Sequence, residues 1–380
     1  MRQKELMGTS KYSFAAILHC LLPHLFGSNA QQNPILLALF AFKLRQNPTQ
    51  SCVPLVFRGA LSFDINISHT IISMTYNYDD RKYYTLSQIG ETKMKKIIII
   101  GFISVAVLLS CATFFDLQID KVLYNPQSSF GKLFALLGVL PQCVLSFLAP
   151  SMVMAVLIAK RNKINTIGII ILILFSFICT YPNLKYLNYG ISSRIHLSTT
   201  LTLCLLVLIL CALVFIALPF AKKNSDDVLK TALIGLLIIL VGEFILNTLK
   251  IHWGRQRFFT MSDPDAQFTK WFLPQSKAVS DNFKSFPSGH SFSAMLALWF
   301  SLFPSFIFTG REKINLWSKI IFTLGIIFGL ATMFSRLVLG KHFLSDVTMG
   351  ALISLLCFLV FKYIADKNFD KIKTLCFKKD

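Results

Sequence analysis

From Met94 onward the chain carries eight apolar stretches long enough, or nearly so, to cross a lipid bilayer. They run Ile97 to Phe115, Leu133 to Ala159, Thr166 to Tyr181, Leu197 to Phe220, Val228 to Leu249, Ser291 to Phe308, Leu316 to Phe334 and Val347 to Phe361. Each is a continuous apolar run rather than an alternation of apolar and polar residues, which excludes a barrel of strands. Lipid offers no partner for a loose backbone amide, so only helices can span it with such sequences. The third and eighth stretches are short and need tight neighbours or local thinning of the bilayer. With 54% of residues hydrophobic, 15% charged and a mean hydropathy of +0.61, a large soluble domain is excluded. The expected fold is an all-α, polytopic membrane helical bundle of about eight transmembrane helices.

A net charge of +20 in a soluble chain would suggest nucleic acid. Here the cations gather at the ends of the apolar stretches, on every second connection. These are Lys95-Lys96, Lys160-Arg161 with Lys163, Lys222-Lys223, Arg311 with Lys313, and the tail with Lys362, Lys367, Lys371, Lys373, Lys378 and Lys379. The opposite connections are poorer, with Lys121 and Lys132 in one and Lys185 and Arg194 in the next. The positive-inside rule then places both termini in the cytoplasm and the connections around Lys250 to His290 and Arg336 to Asp346 outside. The expectation is a multi-pass protein of the cell membrane, a bacterial inner membrane, with the lipid bilayer as its partner and no nucleic acid; nothing in the sequence reports oligomeric state. Nine cysteines suggest neither a disulfide nor a metal framework, because from Cys111 to Cys357 they lie within apolar stretches.

The first 93 residues differ. Their apolar runs, Phe14 to Phe26 and Ile35 to Phe42, are too short to span, and Pro23, His19 and His24 interrupt the first. Asn77 to Glu91 is polar and leads into Met94-Lys95-Lys96 and a run of isoleucines, the pattern of a membrane protein's natural start. Ile89-Gly90-Glu91 can be encoded as ATA-GGA-GAA, which contains a bacterial ribosome-binding sequence. Three readings stand for 1–93: residues upstream of a true start at Met94, a cytoplasmic extension, or a targeting segment. The expected organisation is that segment, N-terminal transmembrane helices over 94–227, a C-terminal helical core over 228–365 and a basic cytoplasmic tail over 366–380.

Three clusters carry the chemistry. The first is Lys250-Ile251-His252-Trp253-Gly254-Arg255-Gln256-Arg257, the second Pro287-Ser288-Gly289-His290. In the third, Ser335-Arg336 is followed after five residues by His342, and His342 after three more by Asp346. No apolar stretch lies between Lys250 and His290, and two lie between His290 and Arg336, so hydropathy alone returns all three clusters to one membrane face. Taken singly, His342 reads as a polar loop residue and Lys250 as a lysine snorkelling from a helix end. Together they concentrate cations whose guanidinium forks suit phosphate. Pro287 to His290 opens a helix, where free amides and the positive dipole end favour an anion. His342 and Asp346, four apart, share one face if a helix begins there.

The clusters resemble the three-part signature of the type-2 phosphatidic acid phosphatases, K-x6-R-P, P-S-G-H and S-R-x5-H-x3-D. That superfamily also holds glucose-6-phosphatase and the vanadium haloperoxidases. The second and third parts match at every fixed position; the first has Phe258 where the family has Pro. The resemblance implies a six-helix core over roughly the last six helices, with two extra spans near the front. It implies His342 as nucleophile forming a phosphohistidine, Asp346 orienting it, and His290 protonating the leaving oxygen before activating water. Lys250, Arg257 and Arg336 would bind the phosphate, with Ser288 and Gly289 completing the cradle, and Arg255 either a further phosphate ligand or a support for the loop. Neither a cofactor nor a metal is implied. Glu243, seven residues before Lys250, is expected to pair with it, a proton relay being the second reading; Trp271 and Phe272 are expected to anchor at the interface, and His252 to be structural. The implied function is a phosphatase of a lipid phosphate or diphosphate: undecaprenyl diphosphate, phosphatidylglycerophosphate, phosphatidate or lipid A. Two alternatives stand beside it, a non-catalytic transporter or scaffold with a relic fold and a soluble-substrate phosphatase resembling glucose-6-phosphatase. The haloperoxidases are soluble, so eight spans argue against that activity.

Overall fold

A computed structural model describes the backbone of residues 84–160, 170–174, 176–177 and 199–376, with side chains over 99–160, 170–174, 176–177 and 207–370. The long elements are helices α1 (Tyr84–Leu123), α2 (Ser129–Leu137), α3 (Leu140–Ala159), α4 (Thr199–Lys223) and α5 (Ser225–Trp253). After them come the short α6 (Pro264–Gln267), α7 (Gly289–Met295), α8 (Pro304–Ile307), and the long α9 (Arg311–Val338) and α10 (Leu344–Cys376). A 3-10 segment, Leu296–Leu302, carries α7 on toward α8. Among the described residues six helical segments are long and apolar enough to cross a membrane: Ile99–Leu123, Ser129–Ala159, Ser225–Thr260, Gly289–Ile307, Arg311–Val338 and Leu344–Asp370. The all-α membrane bundle expected from the apolar runs is therefore the architecture observed. The stretch expected from Leu197 to Phe220 is α4. The one from Thr166 to Tyr181 lies mostly outside the described residues, as does the front segment, of which only 84–93 enter, as the first turns of α1.

In lipid the helices gain little from hiding apolar surface from each other, so close packing has to hold them. Two glycines seven apart on α5 show how. Gly235 lies flat against the buried Trp299, where an added Cβ would stand 2.9 Å from the indole, and Gly242 lies against Phe292, where it would stand 2.5 Å from the ring. The Trp299 indole N–H donates to the Thr231 carbonyl at 2.8 Å, so this large side chain leaves no polar atom unmet. Around this seam pack Leu145, Met152, Val228, Ile238 and Phe358.

Helix α1 is the exception. Only 11% of its apolar window is buried, against 61% for Ser129–Ala159 and for the α10 segment. Polar contacts tie its C-terminal end to the bundle: Trp271 Nε1 donates to Thr113 Oγ1 at 3.1 Å, and Lys121 pairs with Asp265 at 2.6 Å. The helix ends sort into two faces. One holds the basic runs, where Lys160 meets Asp226 at 3.3 Å and Asn224 donates to the Phe306 carbonyl. The other gathers the ends of α1, α5 and α9 and the starts of α2, α7 and α10.

Two glycines shape that second face. Gly254 ends α5 with φ 60°, and an added Cβ would stand 2.0 Å from the Ser276 carbonyl oxygen. Gly350 on α10 lets the Pro287–His290 loop lie directly on the helix, with the Ser288 oxygen 2.2 Å from where a Cβ would be. Gly350→Ala must therefore push that loop away, an overpacking that costs about 1–3 kcal/mol. Its thermal midpoint in detergent is expected to fall, while Gly101→Ala, which meets nothing within 4 Å, leaves it unchanged. Equal midpoints for the two variants would contradict this packing.

Candidate active site

The three clusters meet on this face. Lys250 lies in the last turn of α5 with its ammonium over Gly289, where an added Cβ would stand 3.5 Å from Nζ. Arg257 follows the Gly254 turn in extended conformation, Arg336 lies in the last turn of α9, and His290 in the first turn of α7. His342 occupies the link between α9 and α10 and is 2% exposed. Lys250, Arg257, Arg336 and His290 all lie within electrostatic reach of it. The His290 ring is held by a hydrogen bond to the backbone of Ala135 in α2.

Little in the protein neutralises these cations. Nε of Arg257 and Nε of Arg336 are buried without a hydrogen-bond partner among the described residues. Among the described residues Arg257 has one ion pair, to the exposed Asp281 at 3.1 Å, and Arg336 one bond, to the Gly131 carbonyl at 3.4 Å. Buried donors without acceptors cost free energy, and clustered like charges repel. An anion with several oxygens satisfies both at once. Ser288 caps α7, its Oγ accepting from the Ser291 amide at 3.4 Å and from its hydroxyl at 3.0 Å, with the Gly289 backbone beside Lys250. Lys341, unspecified in the motif, lies 3.3 Å over the Phe259 ring. Burial first, then Arg257 and Arg336, hold its ammonium below the usual lysine value.

His342 Nδ1 lies 2.7 Å from the Ser285 carbonyl oxygen. A carbonyl only accepts, so Nδ1 carries the proton and Nε2 keeps its lone pair. Burial, followed by the charges of Arg257 and Lys250, holds this ring well below the ordinary histidine range. Asp346 does not grip the ring directly: its Oδ2 is 3.9 Å from Nδ1. The four-residue spacing predicts contact only within a helix, and α10 begins at Leu344, after His342. The carboxylate instead accepts from Arg255 Nη1 at 2.6 Å, Ser285 Oγ at 2.6 Å and the Phe343 amide at 2.9 Å. Its link to the ring runs through Ser285.

Arg255 directs its donors away from the phosphate cluster, in keeping with the second of its two expected roles, support of the loop. It is 1% exposed, and its donors go to Asp346, the Ser345 hydroxyl at 2.7 Å, Asp116 at 3.0 Å and the Thr269 carbonyl at 3.0 Å. Phe343 covers its face at 4.2 Å. Glu243 also departs from expectation, bonding Gln142 at 2.5 Å and Asn247 at 2.7 Å rather than Lys250. Seven residues share a helical face but rise about 10 Å, too far for contact. Trp271 stacks on Phe286, with ring centroids 6.2 Å apart, as well as bonding α1, and His252 bonds the carbonyl of Thr248 in its own helix.

The departure at Phe258 is absorbed locally. Arg257 keeps ψ 140°, the backbone that a following proline would demand, and Phe258 enters a 3-10 turn. Its ring packs edge-on against Phe343 and Tyr124. Asp116, Ser285 and Ser345 belong to the site and were not singled out from the sequence. Asp116, an acid at the end of an apolar run, carried a readable signal. The two serines carried none.

Residues 231–370 match the family model of the PAP2 superfamily, the one that the three clusters resemble. No solved structure matches the chain. That family match, on a bundle of membrane-length helices, supports a membrane phosphatase in general terms. For its central ring the geometry predicts the Nδ1–H tautomer, neutral as pH falls through 6.5, because a depressed pKa keeps the proton off Nε2 until lower pH. Nitrogen-15 spectra of histidine-labelled protein, assigned against His342→Ala, test this. A ring titrating at or above 6.5 would overturn it.

Proposed function

We propose that this membrane phosphatase hydrolyses the phosphate or diphosphate of a membrane-anchored lipid through a phosphohistidine on His342. The observation that carries the reading is the group of three cations, two with buried unpartnered N–H donors, around two histidines at one helix-end face. Phosphoryl transfer needs mostly positioning and neutralisation of the equatorial oxygens, and Lys250, Arg257 and Arg336 supply both. Ser288 and the Gly289 amide complete the cradle at the start of α7.

In the first step Nε2 of His342 attacks phosphorus, and the bond from phosphorus to the leaving oxygen breaks. His290 donates its proton to that oxygen, the substrate's own negative charge having stabilised the imidazolium. In the second step His290 takes a proton from water, the hydroxyl attacks phosphorus, and the P–N bond returns its electrons to Nε2. Inorganic phosphate leaves, and both rings return to their starting states. Asp346 acts through Ser285, whose carbonyl fixes the Nδ1 proton so that Nε2 presents its lone pair.

The lipid assignment follows from depth. A phosphate held at the ends of membrane helices sits near headgroup level, where an anchored lipid presents it most readily. The candidates are undecaprenyl diphosphate, phosphatidylglycerophosphate, phosphatidate and lipid A. The charge distribution favours the outer, periplasmic leaflet of a bacterial inner membrane. A soluble sugar phosphate would use the loop over 258–286 as its binding wall, and that reading is tested beside the first.

A phosphate-release panel with purified protein separates them. Acyl- or polyprenyl-linked phosphates are expected to turn over well above short-chain analogues and glucose 6-phosphate, with EDTA harmless and vanadate inhibitory. Equal turnover of glucose 6-phosphate would defeat the lipid assignment. His342→Ala should lose at least about a thousandfold while still inserting, and His290→Ala about a hundredfold, less on substrates with good leaving groups. Near-normal turnover of His342→Ala would end the phosphohistidine mechanism. For orientation, a cysteine replacing the exposed Val279 should react with an impermeant thiol reagent on intact cells, and one replacing Glu312 should not. The reverse pattern would move the site to the cytoplasm.

A further inference from the structure

Helix α1, whose apolar window is only 11% buried, carries a buried acid two turns before its C-terminal end. Asp116 of α1 is 1% exposed and lies outside the family-matched residues 231–370. Its Oδ1 accepts the Ser345 amide at 3.0 Å, and its Oδ2 accepts Arg255 Nη2 at 3.0 Å and the Ser345 hydroxyl. The Ser345 amide is one of the first-turn donors of α10, which the helix itself cannot satisfy, so α1 caps α10 in trans. We propose that Asp116 is a positioning residue for the phosphate chemistry: by holding Arg255 and the start of α10, it fixes Asp346 and Ser285 and so aims His342.

The path is continuous in hydrogen bonds. Asp116 holds Nη2 of Arg255, whose Nη1 holds Asp346 Oδ1 at 2.6 Å. Asp346 Oδ2 holds the Ser285 hydroxyl at 2.6 Å, and the Ser285 carbonyl holds Nδ1 of His342 at 2.7 Å. The Ser288 amide also donates to the Asp346 carbonyl at 2.9 Å, so the loop bearing His290 hangs from the same residue. Without the Asp116 charge, Arg255 would keep one carboxylate instead of two and would pull Asp346 toward it. The Ser285 hydroxyl would then lose its acceptor and the carbonyl its direction. A helix outside the matched domain thus sets the geometry of a ring inside it.

The inference rests on the reading of His342 as nucleophile, and the test keeps the two apart. Asp116→Asn has nearly the same shape and keeps an acceptor for the Ser345 amide, yet loses the charge that holds Arg255. Asp120, one turn on, is equally buried but has no hydrogen-bond partner among the described residues, so Asp120→Asn controls for changing a buried acid in α1. Asp116→Asn is expected to lower kcat about 10–100-fold, the usual cost of losing a group that orients a functional ligand, with KM and vanadate affinity within about twofold. Asp120→Asn should stay within about twofold in kcat. Adding Arg255→Lys to Asp116→Asn should cost little more than either change alone, because both act through one bond. Independently of turnover, the His342 nitrogen-15 spectrum of Asp116→Asn should lose the single Nδ1–H tautomer. A kcat within twofold of wild type, or a joint fall of kcat, vanadate affinity and thermal midpoint, would overturn the proposal. Inactive wild-type protein would defeat the phosphatase reading instead, and the tautomer readout would still decide the role of Asp116.

Discussion

One buried guanidinium holds the site together. Arg255 binds α1 through Asp116, the long loop over 258–286 through the Thr269 carbonyl, and the start of α10 through Ser345 and Asp346. A charge this deeply buried is tolerable only when its donors are satisfied, and removing one partner of such a pair costs about 3–5 kcal/mol. That penalty ties three segments far apart in sequence to one geometry. It also explains how α1, with most of its surface facing lipid, stays registered with the rest of the bundle.

Two residues further on, the same side chain is put to the opposite use. Arg257 has a buried Nε without a partner and one ion pair to an exposed acid. The left-handed turn at Gly254 separates the two roles, ending α5 before Arg255 enters the carboxylate network and Arg257 the open cluster. Buried acids thus surround one arginine, and the cations that lack a buried acid are those proposed to bind the phosphate. Neutralising every cation would have made a more stable protein without a function.

The apolar runs foretold the helices because lipid exposure demands an unbroken apolar surface and a satisfied backbone. The order of the clusters between those runs also foretold that they share a face. Lateral neighbours were not legible, because hydropathy reports depth and not which helix stands beside which. Arg255 stood open between two roles for that reason, since its choice depends on Asp116, 139 residues away in sequence. The pairing expected for Glu243 with Lys250 used helical spacing alone and failed on rise along the axis. Asp346 does lie beside His342, at 3.9 Å, but reaches it through Ser285 because His342 precedes its helix. Ser285 contributes a backbone carbonyl, which no side-chain pattern can reveal.

The proposed mechanism requires that Nε2 of His342 become covalently phosphorylated. Rapid quenching of wild-type protein turning over a phosphorus-32-labelled lipid phosphate, followed by peptide mapping, measures this directly. Label is expected on the peptide bearing His342, stable to base and lost in acid as a phosphoramidate should be, and absent from His342→Ala. Turnover without trapped label, label on another residue, or an acid-stable linkage would contradict it.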